Sequence, residues 1–440
     1  MKIAMYLQDD SHHSRGKFYR VLSEVKKSDV GLLVFPEICW TPFKGSFYGF
    51  DDITAENRML KAIDETHKIS NLAGCPVIVC GMDNSGIIFS VYANPLAGKD
   101  ETSGKIYLKH TMADNSPLSF ADYDERLREL FEPVYLSGKK IGMTICYDCN
   151  HAAFSRAYGK NGVDILINST GGNVDYPKWY RYNKVRAIEN RCFNFVTMGY
   201  TKDYKSKPNS YTYGFTPKGK LMEGKPLFPI RDGDEWGKIG NVFVYDTDSA
   251  GNEYEPDINL SQSETLNQGG GPFWKIDPSG TQALLGKCKK IDCNLYIKKA
   301  VKNLDVVIAV IENDDIVKPE IVLEKLYHPA LEKSSRKSKR KYLIVNSWGQ
   351  LEQKYYENIL SDILRVRAME NYCAVLLVSD KFSKCYQTTD NRKSQLVAPE
   401  GEAYNLDLGR MGGPEAIWKN KHGMRGAWRS GYERLIDSLL

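Results

Sequence analysis

The stretch Gly142-Met143-Thr144-Ile145-Cys146-Tyr147-Asp148 decides how this chain is interpreted. An apolar run ends at Ile145, and a cysteine follows it directly. A second apolar run lies shortly after it, in Asp164-Ile165-Leu166-Ile167-Asn168. Short apolar runs separated by amphipathic stretches are typical of an α/β fold, whose sheets usually carry their sites at the carboxyl ends of strands. The sequence therefore predicts that Cys146 lies at a strand end, in a functional site.

Two earlier stretches have the same form, an apolar strand followed by a polar residue. They are Leu33-Val34-Phe35-Pro36-Glu37 and Gly104-Lys105-Ile106-Tyr107-Leu108-Lys109-His110. A cysteine that attacks an amide or nitrile carbon must lose its proton, and a free thiol with a pKa of about 8.5 is mostly protonated at neutral pH. We predict that Glu37 takes this proton and later gives it to the departing amine. Lys109 is predicted to stabilise the thiolate and the oxyanion, to which the backbone N–H of Tyr147 also donates.

These three stretches resemble the glutamate, lysine and cysteine signatures of the nitrilase superfamily. The helix motif Arg186-Ala187-Ile188-Glu189-Asn190 also falls where that superfamily carries it, so the resemblance spans roughly residues 1 to 225. The resemblance implies an α/β fold of the nitrilase type, a four-layer αββα sandwich. It also implies a thioester intermediate and no metal or organic cofactor.

Further site residues follow from the resemblance and from position. The superfamily commonly has a second glutamate between the lysine and the cysteine, and here Glu125 is preferred to Glu129, although spacing does not settle the choice. Tyr176 and Trp179 follow a strand that points toward the site, so they either line the substrate pocket or simply pack in the core. The residues Cys149-Asn150-His151 depart from the usual pattern after the nucleophile, which leaves the substrate class open.

The predicted secondary structure alternates strands and helices over roughly the first 220 residues. The predicted strands are 3–8, 30–35, 77–81, 86–91, 140–145, 164–168 and 193–200, and the predicted helices are 15–27, 56–72, 152–160 and 180–190. This alternation fits layered sheets and helices.

The second half of the chain repeats part of the first. Three stretches of the first half have a counterpart in the second half, in the same order. The stretch Ile165-Leu166-Ile167-Asn168-Ser169 is matched by Leu343-Ile344-Val345-Asn346-Ser347, and Arg186-Ala187-Ile188-Glu189-Asn190 by Arg367-Ala368-Met369-Glu370-Asn371. The third, Thr216-Pro217-Lys218-Gly219, is matched by Ala398-Pro399-Glu400-Gly401. We therefore predict a catalytic domain over 1–225, an irregular connecting segment over 226–302 and a degenerate α/β pseudo-repeat over 303–440. In the pseudo-repeat the nucleophile position is predicted at Ile311 or Glu312, and neither side chain can act as a thiolate.

Composition argues against several other classes of protein. Sixty basic and 55 acidic residues leave a net charge of only +5, and the basic run 334–341 is interpreted as a surface loop. No apolar run is long enough to cross a membrane. The first residues favour a strand over a signal peptide, so we expect a cytoplasmic protein with ten reduced cysteines and no paired metal-binding spacing.

The leading prediction is a hydrolase that cleaves a linear amide or an N-carbamoyl compound. Its partner is expected to be a small amide-type molecule, with no nucleic acid or membrane involved. The alternatives are a glutaminase that supplies ammonia to a separate partner and a non-catalytic scaffold. We expect a monomer or homo-oligomer, in which the C-terminal repeat replaces a dimer partner.

Overall fold

The computed structural model describes residues 1–9, 15–37, 58–82, 88–111, 131–171, 176–200, 212–230, 240–249, 273–276, 295–301, 304–331, 339–388, 393–400, 403–411, 435 and 438–439. The chain forms two compact units, Met1–Asp257 and Ile258–Leu440.

The first sheet of the first unit carries the strands that precede Glu37 and Lys109. Its strands are β1 (Lys2–Tyr6), β3 (Leu32–Val34), β4 (Val77–Met82), β5 (Ile88–Ala93), β6 (Gly104–Leu108), β13 (Lys225–Pro226) and β14 (Val242–Asp246). They lie in the order β13-β14-β1-β3-β4-β5-β6, with β1, β3 and β4 parallel. β3 and β5 are buried at every residue, as expected of strands that are covered on both faces.

The second sheet of the first unit carries the strand that precedes Cys146. Its strands are β2 (Gln8–Asp9), β7 (Val134–Leu136), β8 (Lys139–Ile145), β9 (Ile165–Thr170), β10 (Phe193–Tyr200), β11 (Tyr213–Phe215) and β12 (Leu221–Met222). The order is β12-β11-β10-β9-β8-β7, with β2 paired to β10. β8, β9 and β10 are parallel, and Ile145 is in register with Ser169, so their carboxyl ends meet at one edge of the sheet.

Helices flank these sheets in the described part of the unit. They are α1 (Arg15–Lys27), α2 (Arg58–Ala73), α3 (Ala152–Lys160) and α4 (Tyr176–Asn190). Phe18, Val21 and Val25 of α1 form one apolar face, because they lie three or four residues apart, and they pack into the core of the first sheet. α3 and α4 contact the second sheet. The two sheets also touch each other, since Thr197 Oγ1 donates to Tyr6 O at 2.9 Å. The predicted αββα sandwich is confirmed.

The segment 226–302 is not wholly irregular, although its composition favours turns and loops. β14 lies within it, pairs antiparallel with β1 and buries Val242 and Tyr245. β15 (Phe273–Ile276) and β16 (Leu295–Val301) also lie within it. These strands are short and their flanks are rich in glycine and aspartate, so an average over the segment hides them.

The second unit contains a six-stranded sheet with helices. Its elements are β16, β17 (Leu304–Glu312), β18 (Lys339–Ser347), β19 (Ala374–Val378), β20 (Ser383–Thr388), β21 (Ser394–Val397), α5 (Pro319–Leu331), α6 (Gln353–Tyr355), a π-helical turn (Tyr356–Leu360) and α7 (Ser361–Asn371). A smaller sheet joins β15, β23 (Ala403–Asp407) and β22 (Pro399–Glu400).

The six-stranded sheet has the same pairing pattern as the β7-to-β12 sheet of the first unit. Its order is β16-β17-β18-β19-β20-β21, with three parallel strands between antiparallel neighbours. A five-residue 3-10 turn follows the second strand in both sheets, and the first turn residue has φ 44° at Cys146 and 46° at Asn313. The turn of the second sheet therefore begins at Asn313, one or two residues after Glu312 and Ile311, where the sequence placed the nucleophile position.

The helices described in this structure include none that is both long enough and apolar enough to cross a lipid bilayer.

Candidate active site

Cys146 lies at the carboxyl end of β8, in a strained backbone conformation. Its φ of 44° belongs to the left-handed region, which side chains other than glycine adopt at a cost of about 1 to 3 kcal/mol. Asn168 on the neighbouring β9 supports this turn, since its Nδ2 lies 3.5 Å from Cys146 O. The side chain of Cys146 is partly exposed.

Glu37 and Lys109 form a buried ion pair. Lys109 Nζ donates to Glu37 Oε1 at 2.6 Å, and both side chains are at most 5% exposed. Gly171 N, just past β9, donates to Glu37 Oε2 at 3.1 Å. Ser169 Oγ donates to Phe35 O at 3.0 Å, which ties the end of β9 to the residues before Glu37. The carboxylate is thus held by groups from both sheets.

The thiol and the ion pair influence one another electrostatically. Burial raises the pKa of Cys146 well above its usual value. The negative charge of Glu37 and a hydrogen bond with Glu37 raise this pKa further, while the positive charge of Lys109 lowers it. Burial lowers the pKa of Lys109, but the charges of Glu37 and Cys146 outweigh it, so the pKa is raised overall. Burial and the neighbouring carboxylate therefore favour the protonated thiol, whereas Lys109 favours the thiolate.

Asp148 joins the Cys146 turn to the residues after β6. Its Oδ1 accepts from His110 N at 3.2 Å, Thr111 N at 2.9 Å and Thr111 Oγ1 at 2.7 Å. Its Oδ2 accepts from Tyr107 OH at 2.9 Å and Ile145 N at 3.2 Å. Asp148 lies in the stretch that contains Cys146, and the sequence alone predicts no role for it. A carboxylate within an otherwise apolar stretch is the signal that could have found it, because a buried charge needs partners.

A chain of asparagine amides lies behind the turn. Asn168 Nδ2 donates to Asn183 Oδ1 at 3.1 Å, and Asn194 Nδ2 donates to the same oxygen at 3.2 Å. Asn183 Nδ2 in turn donates to Trp179 O at 2.9 Å. These buried bonds fix α4 and β10 against the strand that supports Cys146, and sequence reasoning had missed them.

The motif helix α4 is anchored to the turn by Arg186. Arg186 Nε donates to Cys149 O at 2.8 Å, and Nη1 donates to Glu189 Oε1 at 2.7 Å. Both side chains are at most 1% exposed. Glu189 thus accepts from the arginine that anchors α4 to the turn.

Of the residues predicted at the site, Tyr147 and Trp179 lie together. Their ring centroids are 5.7 Å apart, with Tyr147 partly exposed and Trp179 only 4% exposed. Lys178 Nζ lies 5.5 Å from the centroid of the Trp179 ring. The side chain of Tyr176 lies outside the described part of the chain, as do Glu125 and Glu129. Within the described ranges, no three side chains of His, Cys, Asp or Glu lie close enough to hold a metal ion.

Comparison with known proteins agrees with the fold and the sequence signatures. The family model of the carbon-nitrogen hydrolases matches residues 10–229, which is half of the chain. The chain therefore belongs to the carbon-nitrogen hydrolase family, a class of enzymes. Glu37, Lys109 and Cys146 all lie within the matched residues.

Two solved structures illustrate the likeness. One is a mutant amidase from Nesterenkonia sp. AN1, whose structure shows the result of Michael addition of acrylamide at its active-site cysteine. Its sequence is 14% identical to this chain and its TM-score is 0.40. The match covers 56% of this chain and 92% of the amidase. Another is a branch 10 nitrilase-superfamily member from Saccharomyces cerevisiae, with 13% identity, a TM-score of 0.36, and coverage of 56% and 88%. No curated protein sequence matches the chain significantly.

Proposed function

We propose that this protein hydrolyses a linear amide or an N-carbamoyl compound through a thioester on Cys146. The observation that carries the proposal is the buried contact of 2.6 Å between Lys109 Nζ and Glu37 Oε1, next to a cysteine held in a left-handed turn. A buried ion pair is a weak source of stability, because its desolvation offsets much of its attraction. Its place beside a strained thiol is better explained by chemistry.

In the first half-reaction, Glu37 accepts the proton of the Cys146 thiol as Sγ attacks the substrate carbonyl carbon. The new C–S bond converts the carbonyl oxygen to an oxyanion, which the Lys109 ammonium and the backbone N–H of Tyr147 stabilise. When the intermediate collapses, the C–N bond breaks and Glu37 gives its proton to the departing nitrogen. The products are ammonia or an amine and a thioester.

In the second half-reaction, Glu37 takes a proton from water as the water oxygen attacks the thioester. The C–S bond breaks, the acid product leaves and the thiol is protonated again. One carboxylate thus serves both steps. The raised pKa of Cys146 favours this mechanism, since a thiol that is protonated at rest needs a base in contact with it.

We assign the pocket walls to aromatic residues close to the turn. Tyr147 and Trp179 form one wall, Tyr176 begins the same helix as Trp179, and Glu125 is the second glutamate that helps to position the substrate. An aromatic wall fits an acyl group with an apolar part.

We also propose that residues 1–225, completed by β14, form the catalytic domain, and that 303–440, completed by β15 and β16, are a catalytically silent partial repeat. The rest of 226–302 connects the two. Asn313 at the start of its turn supports the silence of this repeat, because an amide side chain cannot form a thioester. The repeat takes the place of a dimer partner in this proposal. Sedimentation that reveals a dimer formed through α4 would contradict that last point.

The test is ammonia release from a panel of amides, N-carbamoyl compounds, glutamine and nitriles, with the wild type and Cys146→Ala side by side. Turnover that is lost in Cys146→Ala supports the proposal, and the best substrate identifies the class. Preference for glutamine would favour the glutaminase alternative. No turnover on any compound would favour a scaffold.

A further inference from the structure

Asp148 is the most heavily hydrogen-bonded carboxylate among the groups described above. It is fully buried, and five donors at 2.7 to 3.2 Å surround its two oxygens. None of these donors is a charged side chain. A buried carboxylate without a contacting cation is costly, so its retention requires an explanation beyond packing.

The donors come from both segments that carry the proposed catalytic groups. Oδ1 faces the two residues after Lys109, and Oδ2 faces Ile145 N, the residue before Cys146. Lys109 N itself donates to Ile88 O at 2.8 Å. The Lys109 backbone is therefore fixed on one side by β5 and on the other by Asp148. Because β6 and β8 belong to different sheets, this one carboxylate sets the distance between lysine and thiol.

Charge supports the same interpretation. Burial raises the pKa of Asp148 to about 6, although Lys109 and the donated hydrogen bonds lower it. The group is thus mainly ionised at neutral pH, and its charge raises the pKa of Lys109.

The second unit contains a matched aspartate with a different environment. Asp315 is also the third residue of its turn, and both aspartates accept a hydrogen bond at their backbone oxygen, from His151 N at 3.0 Å and from Lys318 N at 3.1 Å. The Asp315 side chain, however, is half-exposed and pairs with Lys318 of its own turn at 2.9 Å. The carboxylate is buried and shared between segments only where Lys109 and Cys146 must be aligned.

We propose that Asp148 is a positioning residue for the reaction, one that holds the Lys109 ammonium against the Cys146 thiol by joining the two segments. This inference rests on the proposed function. Asparagine at this position keeps the shape but has a single acceptor oxygen and presents donors to donors. Lys109 would then move away from the thiol, and the thiol would lose the positive charge that lowers its pKa.

The test measures alkylation of Cys146 by iodoacetamide across pH 6 to 9, located by peptide mapping, in the wild type, Asp148→Asn and the control Asp315→Asn. We expect alkylation in Asp148→Asn to slow about tenfold at neutral pH and its pH midpoint to rise, because the thiolate reacts and the thiol does not. Asp315→Asn should match the wild type. General loosening would expose the thiol and speed its reaction, so an unchanged or faster rate in Asp148→Asn overturns the proposal.

Two further measurements complete the design. Thr111→Val removes a single hydrogen bond from Asp148 Oδ1 and should slow alkylation of Cys146 about threefold. If Asp148→Asn does not fold, Thr111→Val tests the proposal in its place, and an unchanged alkylation rate overturns it. With a substrate in hand, Asp148→Asn should lower kcat at least tenfold and change KM less than threefold. An unchanged kcat in a protein that needs Cys146 overturns the role of Asp148 alone. If the wild type turns over no compound of the panel, the proposed function fails. The alkylation rates still test whether Asp148 positions Lys109 against the Cys146 thiol.

Discussion

The turns at Cys146 and Asn313 have the same backbone but different side chains. Both begin with a left-handed residue after the second strand of their sheet, with φ 44° and 46°. Asparagine enters this conformation more readily than most residues, whereas cysteine is strained in it. The strained residue is kept where its thiol meets Glu37 and Lys109, and a better-tolerated residue stands where no such pair is described. The strain in the first turn fits the role proposed for its thiol.

Around these turns the framework is nearly identical. Arg367 Nε donates to Ile316 O at 2.9 Å and Nη1 to Glu370 Oε1 at 2.6 Å, matching the bonds of Arg186. Asn346 Nδ2 donates to Asn313 O at 3.1 Å, as Asn168 does to Cys146 O. Asn183 has no asparagine counterpart in the second unit, because the residue at the corresponding position is the buried Leu364. The two turns therefore share the arginine anchor and differ in the asparagine chain behind them.

The largest effect is expected from exchanging the turn residues for alanine. Cys146→Ala should lower turnover by about 10⁴-fold or more, since it removes the thiol that carries the proposed thioester. Asn313→Ala should change turnover less than about twofold, because only a local left-handed preference is lost. Steady-state ammonia release measures both. A large loss of turnover in Asn313→Ala would contradict the proposal that only the Cys146 turn takes part in the reaction.

Removal of the ion pair separates activity from stability. Lys109→Met leaves the Glu37 carboxylate buried without its cation, so we expect unfolding to become about 3 to 5 kcal/mol easier and turnover to be lost. Adding Glu37→Gln should restore most of the stability and none of the turnover. Urea unfolding and ammonia release measure the two properties. Recovery of turnover in the double variant would contradict the assigned roles.

The two buried arginines should be equivalent for stability and unequal for activity. Arg186→Ala and Arg367→Ala each leave a buried glutamate without its partner, at a cost of about 3 kcal/mol in the unit concerned. Only Arg186→Ala displaces the Cys146 turn, so only this variant should lose turnover at temperatures where both remain folded. Thermal unfolding monitored by circular dichroism sets that range. Equal activity losses would contradict this prediction.

The smallest expected effect is a pH dependence at Asp148. Its pKa in the folded protein, about 6, lies above the usual 3.8, so its protonation stabilises the folded state as pH falls below 6, and this contribution is lost as pH rises through 6. Burial lowers the pKa of His110 to about 3, below its usual 6.5. The folded state therefore loses stability through His110 as pH falls below about 6.5. The titratable or charged side chains around Asp148 are Tyr107, Lys109, His110, Cys149 and Tyr158.

In the wild type these two dependences oppose one another, and Asp148→Asn removes one of them. From pH 7 to pH 5 the variant should therefore lose on the order of 1 kcal/mol more stability than the wild type. Urea unfolding at the two pH values measures the difference. Asp315→Asn is the matched control, and a variant that loses less stability than the wild type would give the wrong sign.

The local elements could be predicted because their patterns are local, whereas the four-layer sandwich was implied by the resemblance to the nitrilase superfamily. The predicted helices 15–27 and 152–160 have the bounds that the structure gives to α1 and α3. β14 could not be predicted, since a strand of five residues becomes stable only by pairing with β1, more than 200 residues away. That pairing depends on long-range contacts that local sequence does not display.

The candidate site divides in the same way. Glu37, Lys109 and Cys146 could be proposed from motifs at strand ends. The roles of Asp148, Asn183 and Gly171 could not, because each depends on a partner from a different sheet or helix. The one-residue displacement from Glu312 to Asn313 has a similar cause, since the end of a strand depends on backbone geometry.

The most direct test of the account is to locate the covalent intermediate. The best substrate of the panel is mixed with the protein and quenched in acid within milliseconds, and the peptides are mapped by mass spectrometry in the wild type and in Cys149→Ser. If Cys146 is the nucleophile, the acyl mass lies on Cys146 in the wild type and stays on the same peptide in Cys149→Ser. Turnover without an adduct, or an adduct on Cys149 or in the second unit, would contradict it.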